Sequence, residues 1–349
     1  MATFDTKPPL QLLKVAEKRT HCPGLVTFVF RSGTDEPLAP ARAGQYIALT
    51  GEFDGSRVTR AYTLASSPRE TDKEGVYIVT VKKAGVLSGW LTDRTEVGGK
   101  VLAGVPLGDF VYDEERDESH IVGVAGGAGI TALLSLAKAS SDGAPYTMTL
   151  FYAVDDSREF LFDEELAVLD PSRVKVVRIA ADGVRKDAEK GFFRAELLDK
   201  HVDRAFTLFM CGGDAFYESV EREASLSPFL RGVRRSPNGV TDRAAEPSAV
   251  HTLTVIEDGG GSESVPARDN ETVMAALERA GLKVRSACHT GRCGWCKSLV
   301  LAGEYTVEER HDTRSEEDRR EGRICLCCTY PDGDMTVVVP RALPPAHAK

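Results

Sequence analysis

The feature that most limits what this chain can fold into is a short loop, Cys288-His-Thr-Gly-Arg-Cys293-Gly-Trp-Cys296, with the spacing C-x4-C-x2-C. Three more cysteines, Cys325, Cys327 and Cys328, follow within the same C-terminal stretch, while Cys22 and Cys211 stand alone. Disulfides are improbable in a cytoplasmic chain of this size, and clustered cysteines in such a setting hold metal or do redox chemistry. Three thiols from one loop require a tight backbone, which Gly291 and Gly294 permit. A fourth thiol is needed to complete two tetrahedral metal centres, and it must come from Cys325, Cys327 or Cys328.

The rest of the chain has to suit that loop. Its 349 residues are 42% hydrophobic and 28% charged, as in a globular protein. At roughly 100–200 residues per domain, two or three domains are expected. No apolar run approaches the ~20 residues that span a bilayer, so no membrane insertion is expected. The N-terminus lacks the basic and apolar regions of a signal peptide, and a cytoplasmic location is the expectation. The net charge of -9 disfavours a nucleic-acid binder, which is expected to be basic.

The chain changes texture along its length. Residues 1–113 carry short apolar runs, among them Tyr46-Ile-Ala-Leu-Thr and Val76-Tyr-Ile-Val-Thr-Val, separated by Gly, Pro and Asp. That pattern predicts an antiparallel β-barrel or sandwich. Residues 114–235 alternate strands with helices, starting from the buried strand His120-Ile-Val-Gly-Val-Ala. This predicts a doubly wound parallel sheet. Residues 236–250 have no period and are rich in turn formers, so they read as a linker. Residues 251–349 hold two strands, a helix from about Glu271 to Ala280, and the cysteine loop.

Two further motifs carry chemistry. Gly126-Gly127-Ala128-Gly129-Ile130-Thr131 follows a strand and opens a helix. Such a turn lets the backbone and the helix dipole meet a pyrophosphate. In doubly wound folds the end of the second strand, here Asp155 and Asp156, faces an adenosine ribose. Acidic residues there accept from ribose hydroxyls and repel a 2′-phosphate, which favours NADH over NADPH, although Arg158 is close in sequence. The alternative is a solvated turn.

Several segments resemble the ferredoxin–NADP reductase superfamily. Arg60-Ala61-Tyr62-Thr63 is similar to its flavin-binding R-x-Y-[ST] strand, and Gly85-Val-Leu87-Ser88-Gly-Trp-Leu91 to its G-x-x-S-x-x-L phosphate loop. Pro106-Leu-Gly108-Asp-Phe110 resembles the segment closing the flavin domain. Gly126 to Thr131 resembles G-G-x-G-I-T-P with Ala132 in place of proline, and Cys211-Gly212-Gly213 resembles C-G-P. The family's terminal E-x-F is missing; Arg234-Arg-Ser-Pro-Asn-Gly stands in its place. The cysteine loop resembles that of plant-type 2Fe-2S ferredoxins, and Gly322-Arg-Ile-Cys-Leu-Cys-Cys-Thr-Tyr-Pro331 resembles the end of their pattern, which implies Cys327 as fourth ligand. Zinc, the alternative, usually takes two C-x2-C pairs. For Arg60 and Tyr62 taken alone the alternative is a solvated strand end with a core tyrosine; for Cys211 it is a buried structural thiol.

The resemblance implies a one-component reductase. It has an antiparallel β-barrel flavin domain, an α/β nicotinamide domain and an α+β β-grasp ferredoxin domain. FAD would be held by Arg60, Ala61, Tyr62, Thr63, Gly85, Leu87 and Ser88. NADH would be held by Gly126, Gly127, Gly129, Ile130, Thr131, Asp155, Cys211, Gly212 and Gly213. A 2Fe-2S cluster would sit on Cys288, Cys293, Cys296 and Cys327, with Thr63 and Cys211 beside the hydride path. NADH gives two electrons and the cluster takes one, so a flavin between them is the physical requirement. The implied partner is a separate acceptor redox protein, such as an oxygenase component. The alternatives are a self-sufficient reductase of quinones or ferric chelates, and a redox-sensing carrier.

Overall fold

The structure, a computed structural model, describes residues 10–53, 56–236, 247–257, 260–282 and 284–340. Most of the expected linker, residues 237–246, lies outside the described residues.

The first sheet is built from β1 (Leu10–Cys22), β2 (Leu25–Ser32), β3 (Tyr46–Phe53), β4 (Ser56–Thr63), β5 (Tyr77–Lys82) and β6 (Lys100–Gly104). They lie in the order β4-β3-β6-β1-β2-β5, all pairs antiparallel. On β5 buried residues alternate with more accessible ones, the mark of a strand with one face on a core. A bridge between Leu64 and Val79 ties the two edges together. The sheet thus curls into a near-closed barrel around Phe28, Phe30, Ile47 and Leu49, all fully buried, which removes the exposed edges an open sheet would present. Helix α1 (Val86–Arg94) follows β5.

The second sheet has six parallel strands. These are β7 (His120–Gly126), β8 (Thr147–Val154), β9 (Val174–Ala180), β10 (Ala188–Lys190), β11 (Phe206–Cys211) and β12 (Leu230–Arg235), with helices α2 (Ile130–Ser141), α3 (Asp163–Ala167), α4 (Ala195–His201) and α5 (Asp214–Ala224) between them. The order is β10-β9-β8-β7-β11-β12. β7 and β11 are apolar runs because helices cover both faces of a parallel sheet. The chain order reverses beside β7, and the carboxyl ends of β7 and β11 open a crevice there, as the rule for doubly wound sheets requires.

The third sheet is mixed, in the order β14-β13-β19-β15-β17. It consists of β13 (Val250–Glu257), β14 (Gly261–Arg268), β15 (Lys297–Ala302), β17 (Arg323–Cys325) and β19 (Met335–Val339), with β16 (Tyr305–Val307) and β18 (Thr329–Pro331) as a separate pair. Helix α6 (Val273–Arg279) packs on it through Val273, Met274, Ala276 and Leu277, the β-grasp arrangement. Thr272 caps α6 by accepting from the Ala275 amide. Helix α7 (Glu316–Arg320) precedes β17. No helix among the described residues is long and apolar enough to cross a membrane.

The barrel and the parallel sheet share one core. Ala65 and Phe110 of the first region pack with Ile130, Leu134 and Phe209 of the second. Ser135 donates a 2.7 Å bond to the Ser66 carbonyl, and Lys138 pairs with Glu70 at 2.8 Å.

Candidate functional site

A cavity of about 580 Å3 lies on that seam. One wall is Ala61, Tyr62 and Thr63 at the end of β4. The opposite wall is the turn after β7, with Gly126, Gly127, Gly129 and Thr131, together with Cys211, Gly212 and Gly213 after β11. The two motifs, about 65 residues apart, therefore face one space.

The glycines are required by space. A Cβ on Gly129 would sit 2.1 Å from the Cys211 carbonyl oxygen, so only glycine lets the β7 turn cross the end of β11. A Cβ on Gly212 would come within 2.4 Å of the Phe216 ring. Gly127 has φ +51 and nothing within 4 Å of its Cβ position, so its backbone stands open to the cavity. Ile130 is fully buried; it anchors α2 in the core and does not line the cavity.

Burial sets the charge state of the wall. The Cys211 thiol, 7% exposed, is pushed up to about 11 by desolvation, against a hydrogen bond from Ser236 that lowers it. It is therefore a neutral thiol at physiological pH. The Tyr62 phenol is likewise pushed up to about 12 by burial. Ser236 lines the same cavity. Sequence reasoning missed it, because it stands where the E-x-F pattern fails.

The other expected flavin residues lie away from this cavity. Ser88 accepts from the amides of Ala84 and Gly85, both at 2.9 Å, and donates to the Gly85 carbonyl at 3.1 Å. Its hydroxyl thus shapes the turn that opens α1, and Leu87 is buried beside it. Arg60 does not line the cavity. Its Nη1 donates to the Thr59 carbonyl at 2.8 Å and to Glu278 of α6 at 3.0 Å. The Thr59 amide reaches the other Glu278 oxygen at 3.4 Å. Asp155 is exposed beyond β8. Arg158 is held by Asp156, through Nε at 2.9 Å and 3.0 Å, and the pair draws the Asp156 carboxyl down to about 2.

The cysteines form a second, compact site. Cys288, Cys296 and Cys327 are buried, and Cys293 is half-buried. Among the described residues no three His, Cys, Asp or Glu side chains form a group fit for one metal ion. The thiols form one compact group, in which Cys296 and Cys327 are 3.5 Å apart. A two-iron cluster takes four thiolates, which such a group can supply.

The thiols differ in the backbone groups they face. Cys288 accepts from the amides of Thr290 at 3.4 Å and Cys293 at 3.3 Å. Cys327 accepts from the Gly291 amide at 3.2 Å. Amide donors favour a thiolate. Cys325 instead donates to the Gly291 carbonyl at 3.6 Å, and Cys328 to the carbonyls of His311 at 3.6 Å and Cys325 at 3.4 Å. Both of these sulfurs therefore face backbone carbonyls. Gly291, at φ +73, must be glycine, since its Cβ would lie 2.3 Å from the His311 carbonyl oxygen.

The two sites touch. Tyr46, which lines the cavity, places its hydroxyl 3.4 Å from Thr290 in the cysteine loop. Arg292 of that loop pairs with Asp109 beside the cavity.

These features define a flavin- and nicotinamide-linked oxidoreductase with an iron–sulfur domain at its C-terminal end. The family described as "Oxidoreductase FAD-binding domain" matches residues 12–112, "Oxidoreductase NAD-binding domain" matches 124–222, and "2Fe-2S iron-sulfur cluster binding domain" matches 256–332. The chain belongs to the reductases of the ferredoxin–NADP reductase superfamily that carry these three domains, in this order, on one polypeptide. It is 29% identical to the glycine betaine monooxygenase reductase subunit of Chromohalobacter salexigens, over 89% of this chain and 90% of that protein. It is 27% identical to the phthalate dioxygenase reductase of Burkholderia cepacia, over 90% and 92%. A solved structure of phthalate dioxygenase reductase, described as a modular structure for electron transfer from pyridine nucleotides to [2Fe-2S], superposes with a TM-score of 0.69 at 24% identity, covering 96% of this chain and all of that one.

Proposed function

We propose that the chain is the reductase component of a multi-protein redox system, acting in the cytoplasm. It takes hydride from NADH and delivers single electrons to a separate acceptor protein, an oxygenase component in the first instance. The named relatives are reductase components of oxygenases. The eight free thiols suit a reducing compartment. In this reading residues 1–113 hold the flavin, 114–235 hold NADH, 251–349 hold the cluster, and 236–250 link the last two.

The observation that carries the reading is the shared cavity and its contact with the cysteine loop. Tyr62 and Thr63 orient the flavin ring on one wall, with Ala61 beside them. Gly126, Gly127, Gly129 and Thr131 offer backbone at the start of α2 to the NADH pyrophosphate, and Cys211, Gly212 and Gly213 form the floor on which the nicotinamide rests. Arg60, with five N–H donors of which Nη1 serves Glu278, keeps donors for a flavin phosphate. Gly85, Leu87 and Ser88 shape the turn that presents the first amides of α1. Cys211 stays neutral and apolar beside the transferred hydride, which keeps water and charge away. When bound, FAD and the 2Fe-2S cluster supply the conversion of a two-electron donor into one-electron steps. Cys288, Cys293, Cys296 and Cys327 hold the exit, and Tyr46 sets the spacing from the cavity to Thr290.

A fragment ending at Ser236 tests the path. It should keep NADH-driven ferricyanide reduction, which needs the flavin alone, and lose most cytochrome c reduction. Equal cytochrome c turnover by the fragment and the whole chain would overturn the order of carriers.

A further inference from the structure

Of the four thiols assigned to the cluster, Cys293 alone is half-buried; the other three are buried. The Cys288 side of the loop faces the barrel, because Thr290 meets Tyr46 there. Cys293 instead lines a separate cavity of about 440 Å3. Every residue lining it lies between 285 and 340, so neither the barrel nor the parallel sheet walls it. The walls carry Arg285, Arg292, Lys297 and Arg314, and no Asp or Glu among the described residues lines it. That is a local reversal in a chain of net charge -9. The carboxylates that pair with these cations stand outside the lining. Lys297 holds Asp318 at 2.7 Å, and the lysine is 37% exposed where the aspartate is 12%. Arg314 holds Asp312 at 2.8 Å, and that buried carboxylate is shared with the exposed Arg319 at 3.1 Å. At both places the carboxylate is turned inward and a cation faces solvent. Arg292 is the exception, paired to the more exposed Asp109 at the seam with the barrel. Trp295, half-buried, shares the same walls.

The geometry points to this cavity as the docking surface for the acceptor, an acidic protein that lays a carboxylate-bearing loop over Cys293. The inference rests on the reading of the cluster as the electron exit. Its first support is composition. Tryptophan and arginine are the side chains that most often anchor protein–protein contacts, and a guanidinium fork takes a carboxylate through two parallel hydrogen bonds. Its second support is charge. A cationic concavity raises the encounter rate with an acidic face and turns a basic one away. Its third support is position. The loop thiol nearest to solvent is the one inside the cationic lining, so a partner seated there comes as near to the cluster ligands as any outside molecule can. Each encounter passes one electron outward. The acceptor protein is reduced by one electron, and no bond or proton is exchanged.

The experiment uses the full chain with FAD and cluster in place, and two probe acceptors of one fold and opposite charge. Native cytochrome c is basic; fully succinylated cytochrome c is acidic. The second-order rate constant for NADH-driven reduction of each is read from low to high salt, in the parent, Arg285→Gln, Arg285→Glu, Arg285→Lys and Lys297→Gln. In the parent the acidic cytochrome should slow as salt rises and the basic one should speed up, because screening removes an attraction in one case and a repulsion in the other. The ratio of the two rates, acidic over basic, is decisive, since any change within the cluster or at the seam acts on both acceptors alike. At low salt it should fall about threefold in Arg285→Gln and in Lys297→Gln, the scale of one exposed charge. It should fall on the order of tenfold in Arg285→Glu, where attraction becomes repulsion. Arg285→Lys should keep the parent ratio, and the iron–sulfur spectrum should be the same in all five proteins. Failure of the parent to reduce either cytochrome, with ferricyanide reduction intact, would overturn the cluster as the exit and the docking surface with it. Reduction of both cytochromes at a ratio that neither Arg285→Glu nor Lys297→Gln moves would overturn the docking surface alone.

Discussion

The nucleotide cavity and the cysteine pocket are built by opposite means. The cavity is made by side chains that are missing. Gly129 lets the turn after β7 cross the end of β11 closer than any Cβ allows, and Gly212 makes room for the Phe216 ring. The pocket is made by side chains that are present, three thiols on one loop and a fourth brought to them by a distant segment, with loop amides pointing at sulfur. A site of the second kind is written in residue letters. A site of the first kind is written in the geometry of the strands that cross there, and its letters say only where the chain can come close.

The difference predicts how each site fails. In the pocket, loss of one thiol should be all or nothing. Cys327→Ser should abolish the iron–sulfur absorption and take cytochrome c reduction to background, while NADH-driven ferricyanide reduction persists. Cys325→Ser and Cys328→Ser should leave the spectrum nearly unchanged, because those sulfurs donate to carbonyls. A normal cluster in Cys327→Ser would show that the hydrogen-bond polarity does not choose the ligand. In the cavity, the corresponding break is to add an atom. Gly129→Ala puts a Cβ 2.1 Å from a backbone oxygen, which no rotamer relieves; overpacking of this kind costs about 1–3 kcal/mol. Flavin bleaching by NADH should slow on the order of a hundredfold as the two walls part, with the cluster spectrum intact. An unchanged bleaching rate would mean that the β7–β11 crossing does not set the nicotinamide position.

The same contrast explains what the sequence made legible. Long buried runs such as His120-Ile-Val-Gly-Val-Ala announced the parallel sheet, and the cysteine spacing announced the pocket. The three-residue strands Ala188–Lys190, Tyr305–Val307 and Thr329–Pro331 had no period of their own to read, since their partners fix them. Helix α6 was expected over about 271–280 and runs Val273–Arg279, because Thr272 takes the cap. Ser236 was illegible because a lone serine after a strand has no signature, and only the fold sets it beside Cys211, 25 positions away. The Arg60–Glu278 pair, with a separation of 218 residues, is likewise a product of packing alone.

The next test concerns the far end of the cavity's ligand. Asp155 is exposed, and Arg158 is occupied by Asp156. In the proposed reading Asp155 offers its carboxylate to the ribose, while Arg158 is already engaged by Asp156. NADH should be preferred. Asp155→Ala should reduce that preference about tenfold, the scale of one charge conflict in an exposed site. Adding Asp156→Ala should reduce it further, because Arg158 is then released toward the phosphate. The measurement is the ratio of kcat/KM for the two nucleotides. A parent that prefers NADPH would refute the assignment, and an equal ratio in all three proteins would clear these residues of any part in it.

The smallest expected effect lies where the two sites join. Glu278 sits on α6, 6% exposed, and accepts from Arg60 at 3.0 Å and from the Thr59 amide at 3.4 Å. His289, next to the first cluster cysteine, has its Nε2 3.8 Å from the same carboxylate. The contact is thus a link between the flavin strand and the cysteine loop. Arg60 is about one-third exposed, 36%, so solvent screens its half of the pair, and about 1 kcal/mol is the appropriate scale. Glu278→Gln keeps the shape and one acceptor but removes the charge. The third sheet should then seat on the barrel about fivefold less firmly. The readout is the ratio of cytochrome c to ferricyanide reduction, since the first needs the joined sites and the second needs the cavity only. That ratio should fall by up to fivefold in Glu278→Gln with the cluster spectrum unchanged. Salt should separate this pair from Asp109–Arg292, whose partners are 59% and 35% exposed. Raising ionic strength weakens exposed pairs most, so the Asp109→Asn effect should vanish in high salt and the Glu278→Gln effect should persist. If both effects disappear together in salt, the buried carboxylate is not what holds the cluster loop to the flavin strand.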